Sequence, residues 1–239
     1  MKRRLFFAAT VLGIAPFGRA DIITQWDFNS GNDASTSTGT TTPWIGSGTA
    51  SLLGVTATFS SGDASGGSTD PNVGDDSAWN TTAYAPQGTE SGNRGVQFMV
   101  STVGYNNVVV SYDQRHSNTS SRFTQLDYTL DGGSTWNMFT THDAASGGDI
   151  WYNGQTYDLS SITGASNNAG FGFRVVSIFE PSTSAYKATT STSTYSGSGT
   201  LRYDMVTVNG TAVVPEPASL AAITLGVGAL IRRRRAYRA

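Results

Sequence analysis

The chain has 239 residues and no cysteine. A disulfide scaffold, a cysteine-ligated zinc site, an iron–sulfur cluster and a cysteine nucleophile are therefore excluded. Charge is also scarce, at 13% of residues, against roughly 25% in ordinary soluble domains. Basic residues are concentrated at the ends. Of 15 Lys and Arg, four (Lys2, Arg3, Arg4 and Arg19) lie in the first twenty positions and five (Arg232 to Arg235 and Arg238) in the last eight. Six remain between residues 21 and 214, facing sixteen Asp and Glu, so that stretch carries a formal charge of −10. An acidic middle lacks the basic footprint that nucleic acid requires. Histidine occurs only twice, at His116 and His142. No HExxH helix motif and no GxSxG nucleophile elbow occurs. No stretch of the middle sustains a helical hydrophobic period.

The ends read as addresses. Met1 to Arg4 is basic, residues 5–14 are apolar, and Gly18 and Ala20 offer small side chains at −3 and −1 of a cut between Ala20 and Asp21. That is the secretory signal pattern, so residues 1–20 imply the Sec translocon and signal peptidase as partners. The apolar run is too short to span a bilayer. The last segment, 211–239, has three parts in order: Pro215, Glu216 and Pro217; an apolar run over 218–231; and Arg232, Arg233, Arg234 and Arg235. The 14-residue run spans about 21 Å as a helix, against about 30 Å of hydrocarbon. It is a short membrane helix whose arginines can snorkel, with the chain end in the cytoplasm and the domain outside. The alternative is a plain anchor that is never cut.

This tail resembles the PEP-CTERM sorting signal of exported Gram-negative proteins. The resemblance implies recognition by an exosortase, transient insertion in the inner membrane, processing near residues 215–217, and release to the cell surface or medium. It also implies a setting of exopolysaccharide and biofilm formation.

Residues 21–210 read as an all-β domain. The stretch 21–214 holds 24 of the 28 Gly and 58 Ser and Thr, yet aromatic and β-branched clusters recur between turn residues. The segments 22–28, 50–59, 95–102, 107–114, 122–130, 136–140, 152–159, 170–177 and 201–208 are predicted strands. Nine short strands in one domain fit a two-sheet sandwich. The polar segments 30–42, 60–80 and 181–200 are predicted loops. The stretch from Val108 to Trp136 and the closing Gly199 to Gly210 resemble a jelly-roll module of secreted bacterial proteins. That module also occurs beside some extracellular nucleases. The resemblance implies a jelly-roll sandwich and an extracellular role, with no catalysis of its own.

Candidate sites are of several kinds. Asp131, Gly132, Gly133, Thr135 and Trp136 match the Asp-box turn of sialidases; a single copy reads as a hairpin turn. His116 with Asp113, or His142 with Asp143, could orient a nucleophilic serine, but loop or sheet histidines are the plainer reading. Ser184 to Lys187 matches SxxK without its partner motifs. Glycoside hydrolysis needs two facing carboxylates. Glu90 and Glu180 are the only glutamates of the middle, and the ExDxE strand motif of laminarinase-like sandwich enzymes is absent. No catalytic residue is assigned. No cofactor is expected beyond a structural Ca²⁺, for which two sets of residues come forward. One is Asp70, Asn72, Asp75 and Asp76, with Asp63 nearby, an oxygen-rich loop that also reads as a solvated acidic loop. The other is Asp27 with Asp204, on the first and last strands, by analogy with other sandwich modules. Trp44, Trp79, Trp151 and Tyr152 lie in or beside loops, where aromatic faces can stack on sugars or fold inward.

The resulting expectation is an exported, exosortase-processed surface or matrix protein, non-enzymatic and associated with extracellular polysaccharide. One alternative is a carbohydrate-binding module stacking sugars on loop aromatics. A second is a secreted hydrolase of unrecognised type.

Overall fold

A computed structural model describes residues 20–31, 34–72, 74–145 and 147–213. The segments read from sequence as a signal (1–20) and a sorting tail (211–239), including Pro215 to Pro217, the 218–231 run and Arg232 to Arg235, lie wholly or mostly outside the described residues.

The strands arise where apolar side chains alternate with polar ones, so that one face of each can be buried. β7 (Tyr105–His116) turns Val108, Val110 and Tyr112 inward. β6 (Gly95–Met99) does so with Val96 and Phe98, and β11 (Gly172–Ser177) with Phe173 and Val175. β12 (Leu201–Ala212) buries Leu201, Tyr203, Val206 and Val208. The other strands are β1 (Ala20–Trp26), β2 (Ile45–Gly46), β3 (Thr49–Leu53), β4 (Thr56–Ser61), β5 (Ser77–Thr82), β8 (Phe123–Thr129), β9 (Asn137–Asp143) and β10 (Ile150–Asp158). They form two antiparallel sheets. One has the order β10-β7-β12-β1-β2, with β5 also paired to β12 and β4 to β5. The other has the order β3-β6-β11-β8-β9. This is the all-β, two-sheet sandwich the sequence predicts.

The sheets bury a common core of aromatic and branched side chains. Trp26 of the first sheet meets Phe98 of the second with ring centroids 5.0 Å apart, and Phe98 stacks on Phe173 at 5.0 Å. Phe28 stacks on Trp79 at 5.5 Å. Such contacts contribute beyond the area they bury, and truncating one of these rings costs about 3–5 kcal/mol.

Two predicted segments differ from the structure. The stretch 50–59 is two strands, β3 in the second sheet and β4 in the first. The chain changes sheets at Gly54, whose φ of 63° is open to glycine. The predicted loop 60–80 ends in a strand, β5. Trp79 is its one large apolar residue, with Ala78 before it and Ser, Asn and Thr around them, too weak a hydrophobic signal among so many hydroxyls.

One irregularity positions the site. β12 carries β7 along one edge, but two partners share its other edge. Leu201, Arg202 and Tyr203 pair with β5, and Val206 to Thr211 pair with β1. β1 and β5 therefore lie end to end. Between the two partners β12 bulges at Asp204 and Met205, where the register against β7 shifts and Met205 takes φ 46°. The sheet has a gap there, between the end of β1 and the start of β5.

Candidate functional site

Three carboxylates converge on that gap. Asp204 stands on the β12 bulge and Asp76 immediately precedes β5. Asp70 comes from the loop between β4 and β5. Oxygens of Asp70, Asp76 and Asp204 lie within 4.8 Å of one another. Asp27, just after β1, is buried beside them, and the charge of Asp70 acts on it. Asp76 is 1% exposed and Asp204 0%, while Asp70 is half-buried and leads to solvent. Both oxygens of Asp76 and Oδ2 of Asp204 have no hydrogen-bond donor among the described residues. Only a shared proton or a cation can reconcile Asp76 with Asp204, because ionised carboxylates accept and never donate.

The electrostatics follow. Burial, then the charges of Asp70 and Asp63, pushes the Asp76 carboxyl up to about 7. Burial holds Asp204 well above the usual carboxylate range against the Ser68 hydroxyl beside it, with Asp76 and Asp70 adding repulsion. Burial also raises Asp27. Buried like charges without donors are costly unless something positive lies among them.

The surroundings are built around this cluster. Gly62 leaves room for it: a Cβ there would lie 1.7 Å from Asp76 Oδ1. The loop is pinned beside Asp70 by Asp113 of β7. Asp113 accepts from the Thr69 amide (2.6 Å) and hydroxyl (2.7 Å) on one oxygen and from the Gly154 amide (2.6 Å) on the other. Asn29 bridges the strands, donating to Asp70 Oδ2 (2.8 Å) and accepting from the Ser77 amide (2.8 Å). Its own amide donates to Asp27 Oδ1 at 3.3 Å. Phe28, between Asp27 and Asn29, has φ 56°, the kind of backbone strain that collects at functional sites. The donor set is all oxygen and carboxylate-rich, which fits a hard cation such as Ca²⁺ rather than a thiolate- or imidazole-seeking metal.

An open cleft adjoins the cluster. It has a volume of about 520 Å³, within the range of small-ligand sites. Its inner wall is Asp27, Asn29, Ser30, Asn72 and Asp75, and its outer wall is Thr40, Thr42, Pro43 and Trp44. Ser30 donates through its hydroxyl to Asp75 Oδ1 at 2.6 Å. Trp44 is 70% exposed. Its backbone is fixed nonetheless. The Trp44 amide donates to Gln25 O (2.8 Å), the Thr40 amide to Phe28 O (3.2 Å), and the Trp26 indole to Thr41 O (2.9 Å). A hydrogen-bonded loop thus places an exposed tryptophan in the same cleft lining as carboxylates, amides and a hydroxyl.

The structure brings the two proposed Ca²⁺ sets together. Asp70 and Asp76 of the first meet Asp204 and Asp27 of the second, whereas Asn72 and Asp75 line the cleft instead. The four aromatic candidates separate. Trp79 is a correction: it is 4% exposed and packs on Phe28 and Phe98, because β5 turns it into the core. Trp151 is half-buried and donates to Ala64 O (2.8 Å), and Tyr152 donates to Gly147 O (2.8 Å). Both tie the 64–67 and 147–149 turns to β10. Trp44 alone of the four is exposed.

The histidines are placed otherwise than a relay requires. His116 is fully buried, with Nδ1 2.9 Å from Ser121 O and Nε2 3.1 Å from Gln114 Oε1. Desolvation, then the charge of His142, lowers it to about 3. Asp143 pairs with Arg122 (2.5 Å). Neither histidine hydrogen-bonds a carboxylate among the described residues. Asp131 closes its hairpin turn by accepting from Thr135 N (2.9 Å), Thr135 Oγ1 (2.6 Å) and Thr129 Oγ1 (2.8 Å), which lowers it to about 2. Gly132 and Gly133 supply the left-handed residues of that turn, at φ 74° and 92°. Trp136 carries the Arg174 guanidinium 4.8 Å above its ring.

No protein-family model and no curated protein matches this sequence. Solved structures with a similar outline include the CBM22-1–GH10 modules of endo-1,4-beta-D-xylanase 10B from Clostridium thermocellum, complexed with xylohexaose. That match has 13% identity and a TM-score of 0.43, covering 71% of this chain and 27% of the other. They also include the CBM22-1–CBM22-2 tandem domain of Xyn10C from Paenibacillus barcinonensis, at 13% identity and a TM-score of 0.45, covering 86% of this chain and 50% of the other. This chain thus spans half or less of each of these two structures.

Proposed function

We propose that the protein is an exported, non-catalytic surface module that binds polysaccharide in the Trp44 cleft. The observation that carries this reading is the exposed Trp44, on a hydrogen-bonded loop, lining one cleft with Asp75, Asn72, Asn29 and Ser30. Sugars offer an apolar C–H face and a ring of hydroxyls. An indole platform opposite carboxylates and amides matches both. The acidic, hydroxyl-rich surface suits a hydrated polysaccharide matrix, and the signal segment and PEP-CTERM-like tail support delivery to it.

Affinity electrophoresis against the host's extracellular polysaccharide tests the reading. The exported chain should be retarded, and Trp44→Ala should weaken that by about tenfold or more, roughly 1.4 kcal/mol, without lowering thermal stability. Equal retardation of both proteins would remove Trp44 from the site.

A second reading, a hydrolase, rests on Asp27 and Asp75 in the same cleft, where burial raises Asp27. A raised carboxyl beside another is the acid–base pattern of glycosidases. Under our proposal the polysaccharide leaves the incubation intact. Release of reducing ends, lost in both Asp27→Asn and Asp75→Asn, would favour the hydrolase.

Export has its own test. The mature chain should begin at Asp21 and end near Pro215–Pro217, and its mass and location should shift in a strain without exosortase. An uncut, membrane-held chain in both strains would reduce the tail to an anchor.

A further inference from the structure

We infer that the Asp70–Asp76–Asp204 centre takes one Ca²⁺ ion and that this ion shapes the inner wall of the Trp44 cleft, making ligand recognition there calcium-dependent. The inference deepens the polysaccharide reading and rests on it for the ligand, though not for the ion.

Three observations point to the ion. Three carboxylate oxygens from two chain segments far apart in sequence, the loop before β5 and the β12 bulge, meet within 4.8 Å. Two of those groups are wholly buried, and three of their four oxygens lack any donor among the described residues. Unpaired buried carboxylates are not left so in stable proteins without a partner. Gly62, finally, keeps clear the space a Cβ would take from Asp76. The donors are hard oxygens. The irregular junction of a bulged strand, a strand end and a loop suits Ca²⁺, which accepts six to eight oxygens in flexible geometry, better than the octahedron Mg²⁺ demands.

The link to the cleft runs through shared residues. Asn29 lines the cleft and donates to Asp70 Oδ2. Asp75, adjacent to Asp76, lines it and accepts from Ser30. Asp27 lines it too and sits against the cluster. Without a cation, the negative charge left on the cluster loosens the 62–76 loop against β12 and β1, and Asn29, Asn72 and Asp75 are held less firmly. With the ion, the loop is drawn onto the bulge and the wall is set. The ion acts by positioning these residues; no contact between it and a sugar is required.

The experiment uses the exported chain freed of metal with chelator. Calorimetry with CaCl₂ should show one ion per chain. Excess Ca²⁺ should raise the thermal midpoint by roughly 5–10 °C, with a smaller rise from MgCl₂. Asp76→Asn and Asp204→Asn should each abolish the Ca²⁺ rise. Each should leave the chelated protein at least as stable as the chelated parent, because each removes a buried charge. A carboxylate serving only as a structural acceptor would instead lose stability in both conditions. Trp44→Ala should keep the full Ca²⁺ response. Hydrogen exchange over 27–31 and 62–76 should slow at least tenfold with Ca²⁺, and polysaccharide retardation should fall at least tenfold in chelator.

Absence of Ca²⁺ binding, or a response that survives in both Asn variants, overturns the inference. So does Ca²⁺ binding that leaves exchange over 27–31 and 62–76 unchanged. If exchange responds to Ca²⁺ but no polysaccharide binds with or without it, the polysaccharide reading fails while the ion-shaped wall stands.

Discussion

His116 illustrates how burial, more than any other cause, sets the chemistry of a residue here. Its imidazole lies among Ser121 O, Gln114, Tyr152 and His142, without a carboxylate on either nitrogen. It is neutral in the folded protein, with its protonation lowered to about 3. Unfolding restores an ordinary value near 6.5. Above pH 6.5 neither state is protonated and the residue contributes no pH dependence. As pH falls from 6.5 towards 3, the unfolded state takes up a proton that the folded state refuses, so stability declines across that window. The loss from this one group approaches about 4 kcal/mol. Urea unfolding of the calcium-loaded protein at pH 7 and pH 5 should show it, and His116→Gln should flatten that part of the profile. An unchanged profile in the variant would place the acid sensitivity elsewhere. Sequence showed both histidines but not their setting, because a lone His in a β pattern looks alike inside a core and on a loop. Asp27, Asp70, Asp76 and Asp204 were each legible as oxygen donors. Asp27 and Asp204, 177 positions apart, were paired only by analogy; what sequence lacked was the gap between β1 and β5 on β12 that brings Asp70 and Asp76 to them. Gly62 and Asn29 carried no signal of their own.

At the scale of the strand, alternation was informative wherever a face was densely apolar. β6, β7, β8, β11 and β12 could be read from Val, Phe, Leu and Tyr at every second position. β5 could not, since Trp79 is its one large apolar residue. The β3–β4 stretch hid a change of sheet, because a glycine in a strand pattern is compatible with either a bulge or a break. That glycine is now a testable element. Gly54 sits at φ 63°, its carbonyl accepts from Arg94 Nη1 (2.7 Å), and the Arg94 side chain lies against it. A branched residue would be strained there, at a cost of about 1–3 kcal/mol. Gly54→Val should lower the denaturant midpoint accordingly, with the slope unchanged. An equally stable variant would show that the corner between the sheets does not depend on the left-handed conformation.

For the molecule as a whole, the scarcity of charge and the richness in Ser and Thr leave few specific polar features, so those that exist stand out. Six cations serve sixteen acids between 21 and 214. The described ion pairs commit five of those cations: Arg94, Arg115, Arg122, Arg174 and Lys187. None of the five ion pairs involves Asp70, Asp76 or Asp204. The protein thus concentrates unneutralised acid at one junction, next to its most exposed tryptophan. Sequence alone yielded the all-β, two-sheet fold class and an expectation of export. It could not choose among Trp44, Trp79, Trp151 and Tyr152, because which face of a loop ends up bare is decided by the loops that pack on it. The claim that joins fold to function is that Trp44 is the platform for polysaccharide. Titration of the calcium-loaded protein with the host's extracellular polysaccharide, followed by tryptophan fluorescence, tests it most directly. Of five tryptophans Trp44 alone is largely exposed. A saturable shift in emission that disappears in Trp44→Ala is the result predicted. Saturable binding with the emission change intact in Trp44→Ala, or no binding by the calcium-loaded protein, would contradict it.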